Sequence, residues 1–342
     1  YDLDVRFTLT GRLYGAAGAS GSHPDVRQVH RTGTQASPAC IICTHITAAN
    51  VAVAARMLTG QRFPIVCVPT DYETEGLWPH LSTDLFCVAT EAWPKRCARV
   101  WCPSNASASP ASPRARTSAQ AMTACKPGNA WTCRRTSVSC WRSPGPICPR
   151  PYVHFRTALD NLLPYLHTFG DTLHFVFVAG NDAEYAGHLR RACSDLGISD
   201  CVTVLEYVEG MAGLMAASDL VICKSGGLTV TECLCAQVPM ILLGRAYGQE
   251  NANVRLLTAH GAAMHVTTWR ELLEALRHVS RSPESAHSML VNGSFLRHPD
   301  AARDIACAAI ELANAEKDPG KPAVQEALPS NSIGGHKPAH VR

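Results

Sequence analysis

Ser218-Asp219-Leu220-Val221-Ile222-Cys223-Lys224-Ser225-Gly226-Gly227-Leu228-Thr229-Val230-Thr231-Glu232 is the stretch whose reading decides the fold. Its first six residues are a short apolar run that reads as a buried strand. From Thr229 to Gln237 apolar positions recur at helical spacing. The order is therefore strand, Gly-rich turn, helix. Gly226 and Gly227 carry no Cβ, so a ligand can come close to the backbone there. The N–H groups that begin the helix offer a site for a phosphate. Glu232 lies about one turn in, within reach of sugar hydroxyls beside that phosphate, and a carboxylate can accept both hydrogen bonds of a cis-diol. An ordinary αβ unit also uses glycines to shape a tight turn, so this stretch alone fits either reading.

The residues downstream separate the two. Val238-Pro239-Met240-Ile241-Leu242-Leu243 reads as a second buried strand, and Tyr247-Gly248-Gln249-Glu250-Asn251-Ala252-Asn253 as a polar loop entering a helix. The order K-S-G-G-L-T-V-T-E, then V-P, then G-Q-E-x-x-N resembles the nucleotide-sugar half of glycosyltransferase family 28, from about Val176 to Ala263. That family contains diacylglycerol glycosyltransferases and the peptidoglycan N-acetylglucosaminyltransferase. The resemblance implies a GT-B type α/β fold, two Rossmann-like domains facing a cleft, with the N-terminal domain incomplete here. It also implies that Ser225, Gly226, Gly227, Leu228 and Thr229 hold a pyrophosphate, Glu232 the ribose, and Gln249 with Glu250 the donor sugar. Lys224, Gly248, Asn253 and the strand-end pair Gly180-Asn181 complete the expected donor-binding set.

Composition narrows the class. The chain has 342 residues, enough for two domains, and 46% hydrophobic content suits a globular protein. A net charge of +3 is too small to argue for nucleic acid. No run of eighteen apolar residues is present, so no membrane-spanning helix is expected. The opening Tyr1-Asp2-Leu3-Asp4 lacks a signal-peptide pattern and an initiator Met, and the chain is expected to be a fragment. Most of the 16 Cys sit inside apolar runs, as Cys43, Cys67, Cys87 and Cys223 do, and read as small buried thiols of a reducing cytosol. Cys40 and Cys43 have CxxC spacing, but on a strand they point to opposite faces and could not grip one metal.

Residues 1 to 38 show little beyond the alternating Leu3 to Leu9. From Pro38 the pattern is clear: Ala39 to Cys43 strand, Ala48 to Leu58 helix, Pro64 to Pro69 strand, Asp84 to Ala89 strand. That rhythm indicates a parallel sheet. Thr44-His45 and Thr70-Asp71-Tyr72 fall at C-terminal strand ends, where open α/β sheets bind ligands. Taken singly, His45 reads as a helix cap and Asp71 as a turn acid. Together, T-H, then V-P-T-D-Y-x-x-x-G-L-W (Val68 to Trp78), then A-T-E are similar to the acceptor half of monogalactosyldiacylglycerol synthases and processive diacylglycerol glucosyltransferases. This second resemblance covers roughly Pro38 to Glu91.

From Pro94 to Arg150 there is no Asp or Glu, against ten Lys and Arg, six Cys and three Trp. A basic linker is one reading, although linkers seldom hold so many Cys and Trp. A shifted reading frame is the other, and the composition favours it. The first strand of the donor domain and its glycine loop are expected in this interval, and neither is visible. Order returns near Tyr152. Thr157 to Phe169, Ala183 to Leu196, Gly210 to Ala217, Asn251 to His260, Trp269 to Val279, Pro283 to Val291 and Ala301 to Ala313 read as helices. Leu173 to Ala179, Val202 to Leu205 and Ala263 to Val266 read as strands. The expected division is 1–93 partial acceptor domain, 94–150 anomalous stretch, 151–313 donor domain and 314–342 disordered tail.

A transferase of this kind holds a diphosphate leaving group and deprotonates an acceptor hydroxyl. Helix N–H groups can stabilise the diphosphate without a metal, and no acidic pair accompanies the Gly-rich turn. One displacement inverts the anomeric carbon, with Asp71 or His45 as base. The donor implied is UDP-glucose or UDP-galactose, the acceptor diacylglycerol, and the place the cytoplasmic membrane surface; no cofactor and no nucleic acid are expected. Transfer of N-acetylglucosamine to a lipid-linked peptidoglycan precursor is the alternative, and a nucleotide-binding remnant without activity a third.

Overall fold

In the computed structural model, residues 38–72, 78–90, 100–101, 140–142 and 150–317 are described. The apolar runs after Ala39 become β1 (Ile41–Cys43), β2 (Ile65–Cys67) and β3 (Leu85–Cys87), joined by β4 (Val100–Trp101). They form one parallel sheet in the order β1-β2-β3-β4, with Ile41 opposite Ile65 and Val66 opposite Leu85. Helix α1 (Ile46–Thr59) makes the crossover from β1 to β2. Strand side chains alternate between faces. Cys43, Ile65, Cys67 and Phe86 therefore bury against Ala49 and Ala52 of α1, while Val66 and Cys87 point the other way. The thiols serve as core atoms, and burial pushes those of Cys43 and Cys87 up to about 12.

The second half repeats the architecture on a larger scale. Its elements are β5 (Cys140–Arg142), α2 (Arg150–Leu162), β6 (Phe175–Val178), α3 (Ala183–Asp195), β7 (Val202–Leu205) and α4 (Met211–Ala216). Then come β8 (Val221–Cys223), α5 (Gly227–Ala236), β9 (Met240–Leu243), α6 (Glu250–Ala259), β10 (Met264–Val266), α7 (Trp269–Arg281) and α8 (Pro283–Gly293). Two parallel ladders, β5-β6-β7 and β10-β9-β8, meet where β5 lies alongside β8. The spatial order is β7-β6-β5-β8-β9-β10, a doubly wound sheet whose order reverses between β5 and β8. Alternation again sorts the core. Phe175, Phe177, Ile222 and Ile241 face α2 and α7, whereas Val176, Val178, Cys223 and Leu242 face α5. Helix α7 is started by Thr268, whose hydroxyl accepts from Glu271 N–H. After Leu162 the α-helix gives way to a 3-10 segment, Leu163–Thr172. Pro164 brings no N–H to continue the α pattern.

Helix α9 (Ala301–Lys317) then returns to the first half. Its Ala309 is buried against Val66 and Cys87, with Ile305 and Leu312 beside it, so α9 covers the sheet face that α1 leaves open. Two expected boundaries change as a result. The last helix serves the N-terminal unit rather than the domain placed at 151–313, and it runs to Lys317, past the tail expected from Asn314.

A third expectation is corrected inside the acid-free stretch. Val100–Trp101 pairs with β3, and Cys140–Arg142 pairs with β6 in the register Cys140 to Val176. The first strand of the second sheet is thus present at 140–142. A strand between two neighbours is normally an apolar run, and Cys-Trp-Arg is not one. Ladder bonds, however, use backbone groups that every residue but proline brings. The remainder of 94–149, residues 1–37 with the Leu3 to Leu9 pattern, Gly76, Leu77, Glu91 and residues 318–342 lie outside the described residues. No described helix is long and apolar enough to cross a membrane.

Candidate functional site

The Gly-rich turn sits at the C-terminal end of β8, beside the reversal point of the sheet. Gly226 is extended (φ −69°, ψ 134°) and α5 begins at Gly227. No side chain caps this ten-residue helix, so the first-turn N–H groups remain available to an anion. Leu228, 66% exposed, and Glu232, also exposed, follow on the open side. Behind the turn Lys224 Nζ reaches Glu250 Oε1 at 2.9 Å, and Ser225 Oγ lies 3.5 Å from Glu250 Oε2. Two residues expected among the donor ligands therefore pair with each other. They brace the turn against the start of α6. Gly226 permits the fold-back, since a Cβ there would lie 3.0 Å from Lys224 Cε.

Facing the turn is the segment that leaves β2. Asp71 Oδ1 accepts a 2.8 Å bond from Asn253 Nδ2, which also donates to Ser225 O at 2.9 Å. Asn253 Oδ1 accepts from Tyr72 N–H at 3.0 Å. The Asn253 side chain is 0% exposed. Tyr72 enters the core of the second half beside Val176 and Val230, and its hydroxyl lies 3.0 Å from Thr231 Oγ1. Burial pushes the Tyr72 hydroxyl up to about 12, with the Thr231 bond opposing. The closest approach is at Gly227, where a Cβ would stand 2.1 Å from the Thr70 carbonyl oxygen.

Tyr72→Phe leaves the ring in place and removes only the hydroxyl. It should cost about 0.5–1.5 kcal/mol, the net value of a partly buried hydrogen bond. Urea unfolding measures it; a change below about 0.3 kcal/mol would mean that the contact with Thr231 holds nothing.

The other expected residues take these places. His45 is the N-cap of α1, its Nδ1 accepting from Thr47 N–H at 3.1 Å. With Nδ1 so engaged, the neutral ring carries its proton on Nε2 and can donate there. Asp71 Oδ1 is the oxygen held beside the turn, and among the described residues Oδ2 makes no hydrogen bond. Gly180 (φ +65°) and Asn181 turn the chain from β6 into α3, where Asp182 caps the helix through Tyr185 N–H and pairs with Arg156 at 2.5 Å. Gly248 (φ +53°) makes the corresponding turn into α6, with Gln249 at the cap position. The contact between Tyr72 and Thr231 is not legible in the sequence. The T-D-Y run was the available signal, but nothing local marks a partner 159 residues away.

The chain is similar to known proteins in sequence and in fold. A family model described as the glycosyltransferase family 28 C-terminal domain matches residues 159–304. A Myxococcus xanthus UDP-N-acetylglucosamine–N-acetylmuramyl-(pentapeptide) pyrophosphoryl-undecaprenol N-acetylglucosamine transferase is 29% identical over 162 residues, 45% of this chain and 41% of that protein. The Bacillus subtilis processive diacylglycerol beta-glucosyltransferase is 26% identical over 240 residues, 69% of this chain and 60% of that protein. The chain thus spans less than two thirds of either relative. Among solved structures, Acinetobacter baumannii MurG aligns with a TM-score of 0.58 at 18% identity, covering 84% of this chain and 77% of that one. The S. aureus MnaA–UDP structure aligns at 0.56 and 12% identity, over 86% and 79% of the two chains. At these identities the likeness speaks of fold, and the fold is GT-B type. Over residues 159–304, the chain is similar to the C-terminal domain of glycosyltransferase family 28.

Proposed function

We propose that the chain is a UDP-sugar glycosyltransferase that moves glucose or galactose onto diacylglycerol at a membrane surface, with inversion and without a metal. The observation that carries this reading is the 2.8 Å bond from Asn253 to Asp71, which brings a carboxylate of one half to the Gly-rich turn of the other. In this scheme the uncapped start of α5 and residues Ser225 to Thr229 receive the diphosphate, and Glu232 holds the ribose. Gln249 faces the sugar, and Glu250, held to Lys224, braces the turn beside it. Asp71 takes the proton of the acceptor hydroxyl as it attacks the anomeric carbon, and the UDP leaves from the opposite side. The acceptor half comprises β1 to β4 with α1 and α9, and the donor half the elements from β5 to α8.

The alternative acceptor, a lipid-linked peptidoglycan precursor, is favoured by the Myxococcus relative. That match, 162 residues long, is close to the length of the donor half. The 240-residue match to the diacylglycerol enzyme is longer than the stretch from β5 to α8, Cys140 to Gly293, can hold, so it extends beyond the donor half. This supports diacylglycerol.

The full chain, supplied with radiolabelled UDP-glucose or UDP-galactose and vesicles containing diacylglycerol, should yield a β-linked glycolipid. Product formed only on the muramyl-pentapeptide lipid would favour the alternative, and UDP binding with no transfer to either would indicate a remnant. Within the site, Glu232→Ala should weaken UDP binding by about 1.5–3 kcal/mol, as for a hydrogen bond to a charged group. Calorimetry measures it, and an unaltered affinity would remove Glu232 from the ribose site.

A further inference from the structure

We infer that Asn253 is a positioning residue: it aligns the Asp71 carboxylate with the donor turn when the two halves meet, and does not bind the donor. The inference rests on the proposed transfer reaction. Its basis is that both amide donors and the carbonyl are engaged. An Asn side chain has two N–H donors and a carbonyl acceptor. Here the donors go to Asp71 Oδ1 and Ser225 O, and the carbonyl takes the N–H of Tyr72. With the side chain wholly buried, no face of it is left for a sugar hydroxyl.

The three bonds differ in what they join. Ser225 O belongs to the turn on Asn253's own half, so that bond fixes the amide relative to the phosphate site. The bonds to Asp71 and Tyr72 N–H reach across to the other half, 182 and 181 residues away in sequence. One planar group thereby sets the distance between candidate base and turn. It also orients the carboxylate, because Oδ1 is taken while Oδ2 makes no hydrogen bond among the described residues. Asn is suited to this where Asp is not: a carboxylate at position 253 would face the Asp71 carboxylate directly, and two such groups in hydrogen-bond contact resist joint ionisation. Reacting groups misplaced by about 1 Å can lose roughly 100-fold in rate.

The test compares the full-length wild type with Asn253→Ala and Asn253→Asp. Each is assayed for UDP affinity by calorimetry, for kcat and KM with UDP-sugar and diacylglycerol vesicles across pH, and for thermal stability. The positioning role predicts UDP affinity within about threefold of wild type for Asn253→Ala and kcat lower by roughly 100-fold. For Asn253→Asp it predicts an acidic limb of the kcat profile displaced to higher pH, because the paired carboxylates must share a proton. A drop in UDP affinity with kcat unchanged would make Asn253 a donor ligand and overturn the inference alone. So would a loss of kcat that only follows a loss of stability, with no displaced limb. A wild type that binds UDP but transfers nothing would overturn the proposed activity and this role together.

Discussion

Gly227→Ala should abolish transfer while leaving the donor half folded. An added methyl would stand 2.1 Å from the Thr70 carbonyl oxygen, 2.8 Å from Asp71 Oδ1 and 2.9 Å from the Thr70 carbonyl carbon. Backbone atoms cannot rotate out of the way as a flexible side chain can, so the loop after β2 must move off the turn. That movement breaks the Asn253 bonds to Asp71 and Tyr72. A displacement of this size should lower kcat by about 100-fold or more. The helix itself does not suffer, since Ala exceeds Gly in helix propensity by about 1 kcal/mol. Gly226→Ala is the comparison, because it disturbs the Lys224–Glu250 brace but leaves the Thr70 contact in place. Its methyl would meet the far end of the Lys224 side chain at 3.0 Å, and that side chain can swing aside. Kinetics and thermal unfolding of the two variants decide the matter: retention of transfer by Gly227→Ala would show that the Thr70 contact is not part of the working state.

Asp71→Asn should lower kcat by roughly 10²–10⁴, the usual contribution of a positioned base, and leave UDP affinity unchanged. The substitution is close to isosteric. The amide oxygen can still accept the Asn253 bond, so the halves stay in register and only the capacity to take a proton is lost. The acceptor hydroxyl must then give its proton to water. Stopped assays at saturating donor, with UDP affinity measured in parallel, separate the two effects. A kcat within threefold of wild type would move the role to His45, whose Nδ1 would first have to give up its bond to Thr47 N–H.

The sequence by itself determined the local units and their order. Strand β8, the Gly-rich turn and α5 are legible in Val221 to Glu232, because period-two and period-3.6 burial is written in neighbouring residues. The same holds for β1, α1 and β2, and for β9 with its loop into α6. The motif residues were legible as chemical types: glycines at a turn, carboxylates at Asp71, Glu232 and Glu250, amides at Gln249 and Asn253.

The tertiary structure alone decided which of these types meet. Lys224 and Glu250 neutralise one another across the turn, Asn253 joins Ser225 to Asp71, and Tyr72 leaves its own half to bond Thr231. It also decided that α9 covers the N-terminal sheet and that Cys140–Arg142 supplies the first strand of the second. The physical reason is common to all of them. Periodicity records which face of an element is buried, but not against what. Partners distant along the chain are selected when sheet order and crossovers bring strand ends to a common edge. A three-residue strand of Cys, Trp and Arg pairs through backbone groups that leave no apolar pattern to read.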